Sequence, residues 1–262
     1  MLLPSNTLGD KLSVDKRELS KGKLQYHLKV KPGDVAKYVL LPGDPGRILK
    51  IAKFMDDAKE IARNREFLTY TGEYKGVRVS ATSTGIGCPS AAIAVEELAN
   101  VGAKVFIRVG TSAGIQPEVE PGDLVVPNGA MRNEGTSYYY VPDGFPAVPN
   151  FKVLKALVQA CEKLGYKYHV GIISTDDSFY AESPEFLSEL RDFGITSLDM
   201  ESSAIFIVSH LRGLEAGTML GVVANLSTRE GVFKEEDPRR ELAVERAIKA
   251  ALEAVVILEE GS

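Results

Sequence analysis

Lys104-Val105-Phe106-Ile107-Arg108-Val109-Gly110-Thr111 is the stretch on which the fold turns. Val105 to Val109 is apolar at every position but Arg108, and a short run of that kind suits a strand buried on both faces of a sheet. Such strands need helices on either side. Working outward, strands are expected at Val77–Thr84, Val105–Val109, Asp123–Pro127, Val170–Ser174, Ser197–Met200 and Gly217–Ala224, with a further apolar run at Tyr38-Val39-Leu40-Leu41. Helices are expected at Pro89–Val101, Phe151–Leu164, Pro184–Phe193, Ser202–Arg212 and Pro238–Leu258, where apolar residues recur at helical spacing. The alternation predicts an α/β fold: a single domain with a twisted, mixed central β-sheet flanked by helices on both faces.

Residues 1–22 are polar and weakly periodic, which predicts a loose N-terminal extension ahead of one domain over 23–262. At 262 residues the chain can bury a sizeable core, and no Ser/Gly/Pro-rich linker divides it. A formal net charge of −5 argues against nucleic acid or an acidic membrane as main partner. Any anion site must therefore be local. Cys88 and Cys161 form no CxxC pair and show no metal-ligand spacing with His27, His169 or His210. No cofactor is expected, and a reduced, cytoplasmic setting is. The apolar stretch Ala254–Leu258 is too short to span a bilayer.

In sheets of this class ligands collect beyond the carboxyl ends of the strands. Four chemically rich segments fall there: Arg108 to Gly114, Ser174 to Tyr180, Met200-Glu201, and Asn225 to Arg229. Arg47, Arg65 and Arg108 read together as a phosphate site, because planar guanidinium groups bind its oxygens in parallel pairs of hydrogen bonds. Arg47 closes the turn Gly43-Asp44-Pro45-Gly46 between an apolar run and a helical one. Backbone N–H groups at such a corner favour an anion. Alone, this turn reads better as a tight bend with an exposed arginine, and no Gly-Lys-Ser/Thr loop occurs.

With Asn64-Arg65-Glu66-Phe67, Ser83-Thr84-Gly85-Ile86-Gly87, Pro89-Ser90, Val95-Glu96-Glu97-Leu98 and Met200-Glu201-Ser202 added to these segments, the chain from about His27 to Leu258 resembles the hexameric class of nucleoside phosphorylases. That family includes uridine phosphorylases and bacterial-type purine nucleoside phosphorylases. The resemblance implies phosphate-dependent, reversible cleavage of the N-glycosidic bond by a pentosyltransferase of nucleotide salvage, giving free base and ribose 1-phosphate. It implies that Gly43, Arg47, Arg108 and Thr111 hold phosphate as co-substrate, with Arg65 completing the cage from a neighbouring subunit. His27 would cross the same interface to the ribose 5′ hydroxyl, Met200 would pack on the sugar, and Glu201 would accept from its 2′ and 3′ hydroxyls. The implied assembly is a homohexamer, a trimer of dimers with shared active sites. In the uridine branch a potassium ion lies between subunits at positions matching Glu66, Ile86 and Ser90. The family usually has glutamate where this chain has Asp199, which leaves that residue's role open.

The base is the ambiguous part. After Phe179-Tyr180 the uridine branch carries a Gln-x-Arg pair, where this chain has Glu182, Ser183, Pro184 and Glu185; the acid of purine-specific relatives falls at Ala224. The run Gly221-Val222-Val223-Ala224-Asn225, Ile115-Gln116-Pro117 and Phe145-Pro146-Ala147-Val148 resemble the uridine branch, so uridine is the favoured substrate. Phe179, Ser112 and Asn225 are the base-binding candidates, and Arg229 is the candidate donor to the leaving base. Arg108, Glu201 and Arg229 are therefore the candidate catalytic residues. The alternatives are a purine nucleoside phosphorylase acting on inosine, guanosine or methylthioadenosine, and a nucleosidase using water. The nucleosidase would not need three arginines, and a dinucleotide-binding enzyme would want a complete Gly-x-Gly-x-x-Gly at its first helix.

Overall fold

A computed structural model describes residues 15–261. In chain order its elements are α1 (Lys16–Ser20), β1 (Tyr38–Leu41), α2 (Pro45–Ala52), β2 (Asp56–Asn64), β3 (Phe67–Tyr74), β4 (Val77–Thr82), α3 (Cys88–Asn100), β5 (Val105–Gly114), β6 (Leu124–Asn133), α4 (Phe151–Leu164), β7 (Tyr168–Asp176), α5 (Pro184–Asp192), β8 (Ser197–Asp199), α6 (Ser202–Leu211), β9 (Glu215–Asn225) and α7 (Pro238–Glu260). The nine strands form one sheet in the order β2-β3-β4-β1-β5-β8-β7-β6-β9, and β9 returns to pair with β5. Five strands thus close on themselves while β1 to β4 extend as an open wing. Pairing is mixed: β1 is parallel to β4 and β5, and β5 to β9, whereas β5–β8 and β6–β9 are antiparallel.

β5 is the central strand that its sequence suggests. Val105, Ile107 and Val109 face a core shared with α4 and α7, whereas Phe106 faces a second core with residues of α3 and α6. The alternation of faces along a strand explains why the run is apolar at every position but Arg108. Helix starts follow the local chemistry: Asp44, Asn150, Ser183 and Asp237 each cap a helix through the side chain, and Pro45, Pro184 and Pro238 each sit in the first turn that follows.

Two departures matter for the site. Arg108 to Gly114 is not a loop after the strand: β5 continues through it, paired with β9 as far as Gly114–Asn225. Small residues make this close approach workable, since a β-carbon on Gly114 would lie 2.6 Å from the Val119 carbonyl. The hairpin β2–β3 was absent from the expectations, because β2 is mostly exposed and its register shifts twice against β3. Residues 1–14 of the expected extension lie outside the described residues. The rest is held in place: in α1, Arg17 bonds Glu96 of α3 at 2.6 Å.

Candidate active site

Several of the candidate side chains gather where β5 and β8 meet the loops before α3 and α6. Arg108 enters from the middle of β5 and is buried. Its Nε donates to Asp199 at the end of β8 at 2.8 Å, and its Nη2 pairs with Glu201 at 2.5 Å. Nη1 is buried and has no hydrogen-bond partner among the described residues. Burial works against the charge on Arg108, but Glu201 and Asp199 outweigh it and hold the guanidinium pKa above its ordinary value. The side chain folds back along its own strand, so that a β-carbon on Gly110 would lie 2.7 Å from Arg108 Nη2. Gly110 makes the room for it.

Asp199 is the residue whose role the sequence left open, and the structure gives it one. Its Oδ2 accepts from Arg108, from Ser202 N at 3.0 Å and from Ser202 Oγ at 2.6 Å, while Oδ1 accepts from Thr175 Oγ1 at 2.7 Å. The carboxylate is a fixed brace for the arginine. Only the three-dimensional pairing of β7 with β8, which sets Thr175 opposite Asp199, makes this visible. Glu201 accepts from Gly87 N at 2.7 Å as well as from Arg108. Gly87 takes φ +95° at that point, a conformation that favours glycine. Met200, half-buried, lies between the two carboxylates in sequence.

Arg47 projects from α2 and donates from Nη1 to Val109 O at 2.9 Å, beside Arg108. Burial, and then the like charge of Arg108, lowers its pKa to about 10. Two guanidinium groups brought together in a partly dry site favour an anion between them. The backbone corner offers less than its sequence suggests: Asp44 turns back on its own helix and takes the Gly46 N–H at 2.8 Å, so the dipole is already partly answered. Gly43 packs against Gly85, whose N–H donates to Gly43 O at 3.0 Å. Thr111 is half-buried in β5 opposite Gly221, and Ser112 is buried with an unpartnered Oγ.

The remaining candidates lie on other elements, and all but Asn225 are at least partly exposed. Arg65 lies at the tip of the β2–β3 hairpin with φ +54° and is exposed. His27 joins the same hairpin, its carbonyl accepting from Asn64 Nδ2 at 2.6 Å. Phe179 is half exposed and meets the ring of Phe233 at 6.2 Å, a contact the sequence did not suggest. Arg229 is exposed, with φ +62°, in the loop after β9. Asn225 departs from its expected role. Its amide donates to Gln116 O at 2.8 Å and Val119 O at 2.9 Å and accepts from Thr228 N at 2.8 Å. Both donors are spent on backbone, so Asn225 ties loops together and has none left to offer a base.

Glu66, Ile86 and Ser90 do lie together around Gly85: a β-carbon there would sit 2.8 Å from Glu66 Cγ and 3.3 Å from Ser90 Oγ, and Ser90 Oγ donates to Ile86 O at 3.2 Å. A carboxylate, a carbonyl and a hydroxyl are oxygen donors suited to a hard cation.

Residues 37–256 match the family described as Phosphorylase superfamily. The chain belongs to this superfamily. Among similar members, a uridine phosphorylase from Thermococcus kodakarensis is 47% identical over 232 residues, 84% of this chain and 83% of that one. A guanosine phosphorylase from Halorubrum lacusprofundi is 42% identical over 238 residues, 89% of this chain and 99% of its own. The crystal structure of uridine phosphorylase from Vibrio fischeri superposes with TM-score 0.84 at 35% identity, covering 89% of this chain and 97% of that one. Purine nucleoside phosphorylase from Toxoplasma gondii, in complex with immucillin-H, gives TM-score 0.85 at 30% identity, covering 91% and 98%. The single mixed-sheet domain derived from β5 outward is therefore the fold of these phosphorylases. Among the described residues no helix is long and apolar enough to cross a membrane, and no group of His, Cys, Asp and Glu side chains is arranged to hold a metal ion.

Proposed function

We propose that the protein is a nucleoside phosphorylase that uses inorganic phosphate to cleave the N-glycosidic bond reversibly, with uridine as favoured nucleoside. The observation that carries this reading is the buried, unpartnered Nη1 of Arg108. A buried N–H without an acceptor is costly, and a phosphate oxygen is the acceptor this site lacks. Charge leads the same way. Arg47 and Arg108 are two cations and Asp199 and Glu201 two anions, so the four groups sum to zero. An anion needs more positive charge than that, and Arg65 of a neighbouring subunit supplies it in this proposal.

Phosphate rests between Arg47, Arg108, Gly43 and Thr111. Each oxygen of Glu201 keeps a second lone pair beyond its bond to Gly87 or Arg108, one for each of the 2′ and 3′ hydroxyls. A phosphate oxygen attacks C1′, the C1′–N bond breaks, and its electron pair leaves with the base. Positive charge building on the sugar faces phosphate and Glu201. Phe179 stacks on the base, Ser112 offers its unpartnered hydroxyl, and Arg229, exposed in the loop after β9, donates to the departing base. Met200 packs on the sugar. No step passes through the potassium site, which in this proposal joins two subunits at Glu66, Ile86 and Ser90.

A shared site makes assembly part of the function, here a hexamer built as a trimer of dimers. The support is that the loop bearing His27 is bonded to Asn64, the residue before Arg65 at the hairpin tip. A cytoplasmic setting completes the proposal, in keeping with Cys88 and Cys161, both buried and free. Guanosine is the second reading, favoured by the Halorubrum relative; against it stands Ala224, where purine-specific relatives carry an acid. Release of free base from uridine, thymidine, inosine, guanosine, adenosine and methylthioadenosine, each with and without phosphate, tests the proposal. Phosphate-dependent release with uridine fastest is expected. Release without phosphate would replace it with a nucleosidase.

A further inference from the structure

Helix α3 carries a buried carboxylate that takes no part in the Arg108 cluster. Glu97 is 8% exposed, and its oxygens accept from His27 N at 3.0 Å each, from Leu28 N at 2.8 Å, and from His27 Nδ1 at 2.7 Å. A carboxylate accepts only, so Nδ1 carries the hydrogen and Nε2 is the ring atom left for a ligand. The loop bearing His27 is pinned independently. Gln25 N donates to Val30 O at 2.8 Å, Gln25 Nε2 to Ser20 O at 2.8 Å and Lys23 O at 2.7 Å, and Asn64 to His27 O. The edge-on ring of Tyr26, 4.8 Å away, fixes the imidazole from one side. The side chain of His27 nevertheless stays 28% exposed. The backbone contacts hold the loop; the Nδ1 contact orders the imidazole.

We propose that Glu97 is a positioning residue for His27, fixing its tautomer and ring so that Nε2 meets the 5′ hydroxyl of a nucleoside in the neighbouring subunit's site. This rests on the role given to His27 above. A ring already held in its binding orientation loses little freedom when the hydroxyl arrives, and a carboxylate behind a histidine selects the tautomer as it does for metal-bound histidines.

The test compares uridine with 5′-deoxyuridine on the full-length enzyme, wild type, Glu97→Gln, His27→Ala and the double variant. Glu97→Gln is expected to lower kcat/KM for uridine about tenfold, chiefly through KM, the size of one well-placed hydrogen bond. Its kcat/KM for 5′-deoxyuridine and its KM for phosphate should move less than about twofold, and the double variant should match His27→Ala. If His27→Ala discriminates between the two nucleosides but Glu97→Gln lowers both equally, Glu97 only supports the loop and the proposal is overturned. If His27→Ala treats both nucleosides alike, the role of His27 itself is wrong and the proposal falls with it. Should Glu97→Gln not fold, 15N NMR of histidine-labelled wild type decides: hydrogen on Nδ1 of His27 is expected, and hydrogen on Nε2 alone would overturn the assignment.

Discussion

Two of the arginines proposed to meet one phosphate are held by this molecule in opposite ways. Arg108 is buried inside one chain and paired with Asp199 and Glu201. Arg65 stands exposed at a hairpin tip, and no hydrogen bond or ion pair of its side chain occurs among the described residues. The inner group is satisfied within the subunit except for one nitrogen; the exposed group is satisfied by nothing in it. The left-handed conformation of Arg65 belongs to the two-residue turn between β2 and β3, as that of Lys75 belongs to the turn between β3 and β4; what sets Arg65 apart from Arg108 is its exposure.

The largest effect should come from breaking the inner side. Arg108→Ala leaves Asp199 and Glu201 as buried carboxylates without their cation, which costs about 3–5 kcal/mol of stability by the general behaviour of such pairs, read by urea unfolding. Loss of a charge-assisted bond to phosphate should also lower the rate roughly 10- to 150-fold. Activity within threefold of the parent at sub-saturating phosphate would remove Arg108 from the site. Asp199→Asn sharpens the same point. It keeps the shape but weakens the brace, and a loss of about tenfold in kcat with the nucleoside KM little changed is expected.

The exposed arginine predicts the reverse pattern. Arg65→Ala should change stability by no more than about 0.5 kcal/mol, as for a surface substitution, yet raise the phosphate KM about tenfold. Mixing decides whether the site is shared. Subunits carrying Arg65→Ala and Arg108→Ala, co-expressed, form mixed dimers in which one site has both defects and the other neither. Recovery of activity above either variant alone is expected; no recovery would place Arg65 with its own chain's Arg108.

The same contrast separates what the sequence could disclose from what it could not. β5, α4, α6 and α7 were legible because their burial writes a period into the residues: continuous apolar for a strand covered twice, helical spacing for the others. β2 left no such trace, since a mostly exposed edge strand with register shifts has little to bury. The continuation of β5 to Gly114 was hidden for another reason: Gly110, Thr111, Ser112, Ala113 and Gly114 look like a loop until β9 is known to lie beside them. Candidate residues in contiguous motifs, such as Arg108 and Glu201, could be named from the sequence. Asp199 as brace and Glu97 as support for His27 depend on contacts 91 and 70 residues apart in sequence, and no local pattern encodes those. Asn225 was misread because a polar residue at a strand end looks alike whether it faces a ligand or a loop.

The smallest effect lies in the segment after Phe179. Glu182 is half-buried; burial, and then the charge of Asp176, raises its pKa to about 7 from 4.5. The sign follows from proton counting. Between those values the folded state holds a proton that the unfolded chain has lost, so stability falls as pH rises from about 4.5 to 7 and is level above. Screening by solvent at a partly open position reduces the effect to about 1 kcal/mol. Glu182→Gln should therefore be about that much more stable than the parent at pH 8, and the difference should shrink towards pH 5, read as urea midpoints at the two values. An unchanged difference would mean that Glu182 does not titrate in this range and that the segment after Phe179 stands further from Asp176 in solution. A parent midpoint that drops between pH 5 and 8, with the variant's level, would mark Glu182 as an acid held at some cost by its burial and by Asp176.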